Sequence, residues 1–381
     1  MLDMEGFIFW LAVFVLCLWC CQWYTHLVAI IYGKWRLHHK RSSTECPPVP
    51  LPGMSIIKPL TGVDPNLYAN LEPFFNLQYP AQYELLFCDS DPAIIVVKSL
   101  LLKNPNVRTE LFMGAKKIGM NPKINNMITV YGAASHDLIL ISDSGLRMKQ
   151  DTLSDMVQSL TASCHVGLVR QIPFVCNRNG FAGILEKVGL IDEAYSVFLG
   201  TQHANMYLNA DLYGINCVTV MSCLFRKKKS AVGVSPSVLS LLGRIHETTP
   251  SQTSRREWWA KLRQSIVPLT LLEPHSESLL CGLLASWAVH VVTSVSPLVT
   301  FGAHLLAWLI LDYVIFIVMQ CPFSKCEFLL AWLVRESTSL FLFLRAYSSS
   351  ELTWRNKRYL LDWGGIGREV PSTRKPQISE V

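Results

Sequence analysis

The apolar positions of this chain fall into three regimes. From Phe7 to Tyr32 they are almost unbroken, with Gln22, Thr25 and His26 as the exceptions. About 20 such residues let a helix span a bilayer. Apolar runs return in the last third, from Ser278 to Val295, from Leu298 to Met319 and from Phe328 to Tyr347. Pro297 separates the first two, which read as spans joined in a hairpin. Arg335, Glu336 and Arg345 interrupt the third. Charged side chains are costly in hydrocarbon unless they are paired or turned toward a cavity. That stretch can span, re-enter or lie in the interface. Its Arg335 and Glu336 read either as an ion pair or as a surface where a lipid enters.

Between these regions the pattern changes. Met54–Lys58, Tyr83–Cys88, Val107–Met113 and Asp137–Ser142 have the length of strands, while Ala93–Leu102 and a segment from Asn121 have helical length. Strands alternating with helices predict an α/β fold, a mostly parallel sheet with helices on both faces, whose ligands bind at the C-terminal ends of the strands. The chain divides into an anchor over 7–32, a basic and proline-rich linker over 33–53, an α/β domain over 54–265, a membrane region over 278–347 and a tail over 348–381.

Charge sets the orientation. No basic residue precedes Phe7, whereas Lys34, Arg36, Lys40 and Arg41 follow the run. The positive-inside rule then places the N-terminus in the lumen and the α/β domain in the cytosol, with the first helix an uncleaved signal anchor. Arg355, Lys357 and Arg358 make the tail basic and cytosolic, so the C-terminal spans are even in number, most simply the hairpin around Pro297. Only 16% of the residues are charged, against about 25% in soluble domains. The net charge of +6 is dispersed, which suits a membrane surface or a phosphorylated small molecule and excludes nucleic acid, for which an interleaved Arg/aromatic stripe is expected. The twelve cysteines show no paired C-x-x-C motifs and read as reduced thiols; Cys17 and Cys20 read as packing.

Several residues can carry chemistry. Leu138-Ile-Leu-Ile-Ser142-Asp143-Ser144-Gly145 is an apolar strand ending on a carboxylate followed by small residues. Such a carboxylate can ligate a divalent metal on a diphosphate, although Asp-Ser-Gly also makes ordinary turns. Asp89 and Asp91 end another strand and can accept hydrogen bonds from a nucleobase or ribose, or Asp91 can cap the next helix. Lys123 and Asn125 stand at a helix start, where anions are favoured. Arg255, Trp258 and Trp259 precede the membrane region and can clamp a diphosphate and stack on a sugar, or form an interfacial belt. Arg226–Lys229 reads as a charge run facing solvent or lipid headgroups.

Together these pieces resemble the ceramide glucosyltransferase family, membrane members of the glycosyltransferase-A nucleotide-sugar enzymes. The resemblance rests on Lys58-Pro-Leu-Thr-Gly-Val-Asp64-Pro-Asn-Leu67, Asp91-Pro-Ala-Ile94, Asn121-Pro-Lys-Ile-Asn-Asn126, Ser142-Asp-Ser-Gly145, Cys217-Val-Thr-Val-Met-Ser-Cys223 and Ala331-Trp-Leu-Val-Arg-Glu-Ser337. It covers roughly residues 7–225 and 252–365. It implies a glycosyltransferase-A-like domain and transfer of glucose from UDP-glucose to ceramide. It also implies a divalent metal (Mg or Mn) at Asp143, and a multi-pass Golgi membrane protein whose catalytic domain faces the cytosol. Asp91 matches the family's first aspartate, Asp143 its second, and Arg255 and Trp259 the outer positions of its Q/R-x-x-R-W motif. Association with a second copy is left open.

The chain departs from that pattern over 226–254. The family's third aspartate, the proton acceptor the resemblance implies, has no counterpart: between Phe225 and Arg255 the one carboxylate is Glu247. Trp258 stands where the motif has Arg. Glu247 or His203 is left to take the proton, and weak activity is expected. A catalytically impaired homologue that binds nucleotide sugar or lipid, an incomplete gene model of the active enzyme and a membrane polysaccharide synthase are the alternatives. The last would carry an intact Gln-x-x-Arg-Trp and a longer bundle.

Overall fold

Four strands, β1 (Met54–Pro59), β2 (Tyr83–Asp89), β3 (Arg108–Met113) and β4 (Leu138–Ser142), lie parallel in the order β3-β2-β1-β4. The computed structural model describes residues 4–38, 51–60, 66–89, 93–114, 116, 122–161, 166–171, 197–214, 222–227, 260–261, 264–265, 277–321, 324–354, 357–362 and 366–370. All four strands fall where the apolar runs predict them. Two further strands complete the sheet as β4-β6-β5. β6 (Ser222–Arg226) is antiparallel to β4, and β5 (Leu168–Arg170) is antiparallel to β6. The sheet is therefore mixed.

Successive strand residues point to opposite faces, and both faces are covered. Met54, Ile56, Leu85, Phe87, Leu138 and Leu140 pack with α2 (Leu67–Phe75), α3 (Ile94–Lys103) and α5 (Thr152–Thr161). Ile57, Leu86, Cys88, Ile139 and Ile141 pack with Met127 and Val130 of α4 (Pro122–Ala133) on the other. Of the charge run 226–229, Arg226 and Lys227 are engaged with protein carbonyls, and Lys228 and Lys229 lie outside the described residues. Arg226 Nη2 donates to Leu160 O at 3.1 Å, and Lys227 Nζ to Ala134 O at 2.8 Å. Both cations meet carbonyls at helix C-terminal ends, where positive charge is favoured.

At the N-terminal ends of the strands Glu84 is buried. It accepts from Ser55 Oγ at 2.6 Å, Ser135 N at 2.7 Å and Ser135 Oγ at 3.1 Å, with Arg108 Nε at 3.4 Å. Burial alone would raise its pKa, but the hydrogen bonds from Ser55 and Ser135, helped by Arg108, hold it below the usual carboxylate value. A carboxylate with a depressed folded pKa stabilises above its unfolded pKa, and that stability is lost as pH falls through the folded value. Glu84→Gln should therefore cost about 1–3 kcal/mol at neutral pH. Its stability gap to wild type should narrow in acid, as read by denaturation at both pH values.

The apolar helices form a second assembly. α1 (Met4–His38) and α8 (Pro297–Val318) are long and apolar enough to cross a membrane, and α7 (Ser278–Thr293) is a shorter apolar helix. α7 and α8 form the expected hairpin: Ser294 takes a left-handed φ of 62° and Pro297 starts α8. α1 packs on both. Ala12 and Val15 meet Ala288, Trp19 Nε1 donates to His304 Nδ1 at 3.1 Å, and His38 lies 2.7 Å from Val318 O. Cys17, Cys20 and Cys21 face outward on α1 as free thiols instead of packing inward. α9 (Lys325–Tyr347) covers the third apolar run, opened by a capping box between Ser324 and Glu327. The basic tail makes an antiparallel sheet of β7 (Glu351–Trp354), β8 (Lys357–Asp362) and β9 (Ile366–Val370).

Arg335 and Glu336 resolve as an ion pair inside this bundle. Arg335 is 1% exposed, and its Nη2 lies 2.7 Å from Asp312 Oδ2 and bonds Glu336, while Nη1 reaches Thr201 Oγ1. Trp332 Nε1 donates to the same Asp312 oxygen at 2.7 Å, and His26 Nε2 lies 3.3 Å from Asp312 Oδ1. The cluster ties α1, α8, α9 and the segment before α6 (Gln202–Leu212) together in an apolar setting.

Candidate active site

The parallel strands bring their C-terminal ends to one edge, and two of the acidic residues predicted from sequence, Asp89 and Asp143, stand there. Asp89 is the last residue of β2, and Asp143 follows β4. Asp143 and its neighbours Ser142 and Ser144 are all buried. The turn after β4 is closed by Leu146 N donating to Asp143 O at 3.1 Å.

The residue that holds this turn is Lys58, which sequence reasoning passed over. It lies near the end of β1, fully buried, and its Nζ donates to Ser142 Oγ at 3.2 Å, Asp143 O at 2.9 Å and Leu146 O at 3.3 Å. All three ammonium hydrogens have acceptors. The same nitrogen sits 3.5 Å from the centre of the Phe74 ring, a favourable cation–π placement. Burial pushes the Lys58 pKa well below its ordinary value, while the Asp143 charge pulls it back up. Lys58 thus fixes both the path of the turn and the local field at Asp143. The signal was present as the start of the Lys58–Leu67 block, but a lysine at a strand end reads as solvent-exposed until the strand is known to be central.

α4 begins at Pro122, so Lys123 and Asn125 fall in its first turn as expected. Asn125 is half-buried, and its carbonyl accepts from Lys116 N at 3.0 Å. His203 is elsewhere, on α6, buried between Phe198 and Tyr207 with ring centres 5.9 and 5.5 Å away. α6 is held against the C-terminal half of α1. Asn209 Nδ2 donates to Thr25 O at 3.0 Å and Tyr32 to Asp211 at 2.7 Å, and a Cβ on Gly33 would meet Leu208 at 2.8 Å. Gly33 is what lets the two helices touch. Asp91, Glu247, Arg255, Trp258 and Trp259 lie outside the described residues, as do the side chains of Asp89 and Lys123. No cluster of three or more metal-ligating side chains occurs among the described residues.

The family model for glycosyl transferase family 21 matches residues 21–233 and 242–366, nearly the whole of both assemblies. The chain belongs to glycosyl transferase family 21. Relatives in this family include ceramide glucosyltransferase 1 of Caenorhabditis elegans, 34% identical over 92% of this chain and 79% of its own length. Ceramide glucosyltransferase 3 of the same organism is 34% identical over 93% and 80%. Ceramide glucosyltransferase of Komagataella phaffii is 24% identical over 89% of each. Among solved structures, a mannosyltransferase from Pyrobaculum calidifontis in complex with GDP-Man and Mn2+ aligns over 90% of this chain and 98% of its own at 13% identity and a TM-score of 0.45. The family 21 chain is a glycosyltransferase with a mixed α/β domain, and two of its helices are long and apolar enough to cross a membrane.

Proposed function

We propose that this chain transfers glucose from UDP-glucose to the primary hydroxyl of ceramide, with inversion at the sugar carbon, at the cytosolic face of the Golgi membrane. The observation that carries the reading is the 34% identity to a ceramide glucosyltransferase over 92% of the chain. In this reading Asp89 and Asp91 hold the uridine, and Lys123 and Asn125 face the pyrophosphate. Arg255 stabilises the leaving UDP and Trp259 stacks on the sugar.

A divalent ion on a diphosphate needs only one or two protein carboxylates beside the phosphate and water oxygens. Asp143, buried at a strand end in a turn fixed by Lys58, fits that requirement. Bound there, Mg or Mn would neutralise charge on the diphosphate. Lys58 keeps the carboxylate in place, and Ser144 leaves room for phosphate to approach.

The acceptor hydroxyl needs a base. We assign it to His203, with Glu247 as the second choice. What supports this choice is packing: α6 meets α1 and the end of α8 through Ala29, Ile315 and Met319, and beside such apolar helices a lipid hydroxyl would arrive.

The test uses purified protein in ceramide-containing vesicles, offered UDP-glucose, UDP-galactose or UDP-N-acetylglucosamine. Glucosylceramide from UDP-glucose alone is expected; another sugar transferred more readily would replace the donor assignment. In the same assay His203→Ala should lower transfer about 10²–10⁴-fold with UDP affinity unchanged. An unaffected His203→Ala beside a silent Glu247→Gln would move the base to Glu247.

A further inference from the structure

His203 stands two residues beyond a break in the helix that carries it. Residues 197–200 are helical, Thr201 leaves the helix with φ −121° and ψ −91°, and α6 resumes at Gln202. The imidazole spans the break. The Phe198 ring, from the turn before it, lies 5.9 Å away, and the Tyr207 ring, from α6, lies 5.5 Å away. The angle at Thr201 therefore sets the slot in which His203 sits.

Both sides of the break are fixed from the helical bundle. Gly200 lies so close to Phe316 of α8 and to Cys321 beyond it that a Cβ would meet both at 2.8 Å. Thr201 is fully buried. Its hydroxyl donates to Val197 O, in the turn before the break, and accepts from Arg335 Nη1 on α9. Arg335 is held in turn by Asp312, 2.7 Å from Nη2, and by Glu336, 3.0 Å from Nε. A planar guanidinium that serves three partners fixes direction as well as distance. A cation is also favoured where a helical turn ends. Buried ionic groups are weak evidence for stability, and their best-attested use is to select one arrangement over others.

We propose that Thr201 and Arg335 are positioning residues for the transfer reaction. The Asp312–Arg335–Glu336 cluster sets the break at Thr201, and the break aims the His203 imidazole at the acceptor hydroxyl. Neither residue touches substrate; both act through that ring. The proposal rests on the assignment of the acceptor base to His203.

Thr201→Val keeps the volume and removes both hydroxyl bonds, whereas Thr201→Ser keeps them. Both leave Arg335 paired with Asp312 and Glu336. With the purified full chain in ceramide-containing vesicles, Thr201→Val should lower kcat for glucose transfer about 10²-fold, the scale of a ~1 Å misplacement. The KM for UDP-glucose should not change, and Thr201→Ser should stay near wild type. In a His203→Ala background Thr201→Val should cost nothing more, since the two changes act through one group. A second readout does not depend on turnover. His203 is 5% exposed, so diethyl pyrocarbonate, followed by mass spectrometry, should spare it in wild type and Thr201→Ser and modify it in Thr201→Val. Unchanged transfer with a protected ring in Thr201→Val would overturn the proposal. Equal losses in the valine and serine variants, or a loss that adds in full to that of His203→Ala, would overturn it as well. A His203→Ala chain as active as wild type would instead remove the base assignment beneath it, and the positioning role with it.

Discussion

Arg335→Met should lower the stability of the helical bundle by about 3–5 kcal/mol, the cost of removing one partner from a buried ion pair. Asp312 is 2% exposed and Glu336 3%, so both carboxylates would keep their burial and lose their cation. Trp332 and His26 still reach Asp312, but neither contributes a permanent charge. Thr201 would lose its bond from Nη1, loosening the segment that leads into α6. Arg335→Lys retains a charge without the planar fork that serves Asp312, Glu336 and Thr201 together, and should lose less. Thermal unfolding in a mild detergent checks the order wild type, Arg335→Lys, Arg335→Met. A methionine variant as stable as wild type would mean that the cluster contributes nothing to holding α9 in place.

Asp143→Asn should strongly weaken metal-dependent UDP binding. The substitution keeps shape and removes charge, and losing one charge-assisted ligand costs about 2–3 kcal/mol, a factor of roughly 30 to 150 in affinity. Lys58→Met should weaken the same affinity from a distance. The carbonyls of Asp143 and Leu146 would lose their shared donor, and the turn would no longer be held at the sheet edge. The two variants separate in the metal titration. Asp143→Asn should flatten it, whereas Lys58→Met should shift it to higher metal concentration while lowering stability. Calorimetry with UDP and Mn, with and without chelator, reads both. Unchanged metal-dependent affinity in Asp143→Asn would return that residue to the role of an ordinary turn.

Most of the parallel part of the sheet was legible because β1, β2 and β4 are apolar runs cut off by polar residues, and burial on both faces leaves nothing else for such a run to do. Asp89 and Asp143 were legible for the same reason, since each ends a run. β5 and β6 were not. Leu168–Arg170 is three residues long, and Ser222–Arg226 carries no alternation that distinguishes a strand from a loop. The reversal of β6 is set by tertiary pairing with β4, to which no local pattern points. Lys58 was missed because its burial depends on three acceptors from a turn 84 to 88 residues away. The ion pair at Arg335 was legible as a choice between two roles. Asp312, the partner that decides it, looked like a lone acid in an apolar helix until α8 and α9 were seen to meet.

The family model leaves residues 234–241 unmatched, inside the 226–254 interval where the sequence departs from the resemblance. Two groups the resemblance leads one to expect, a third aspartate and an arginine at position 258, are absent from the sequence. Both act on the same transition state, one at the acceptor and one at the leaving group. The sheet edge that would bind the donor does not depend on either, because Lys58 and Asp143 belong to β1 and the turn after β4.

The most direct measurement is radiolabelled glucose transfer from UDP-glucose to ceramide by the unmodified chain, in membranes that lack endogenous activity, with Asp143→Asn alongside. The expected result is glucosylceramide from the wild-type chain, dependent on Mg or Mn and about 10²–10⁴-fold slower than from a relative that has the aspartate base, and none from Asp143→Asn. A folded wild-type chain that binds UDP with metal yet forms no product, or equal product from Asp143→Asn, would contradict it.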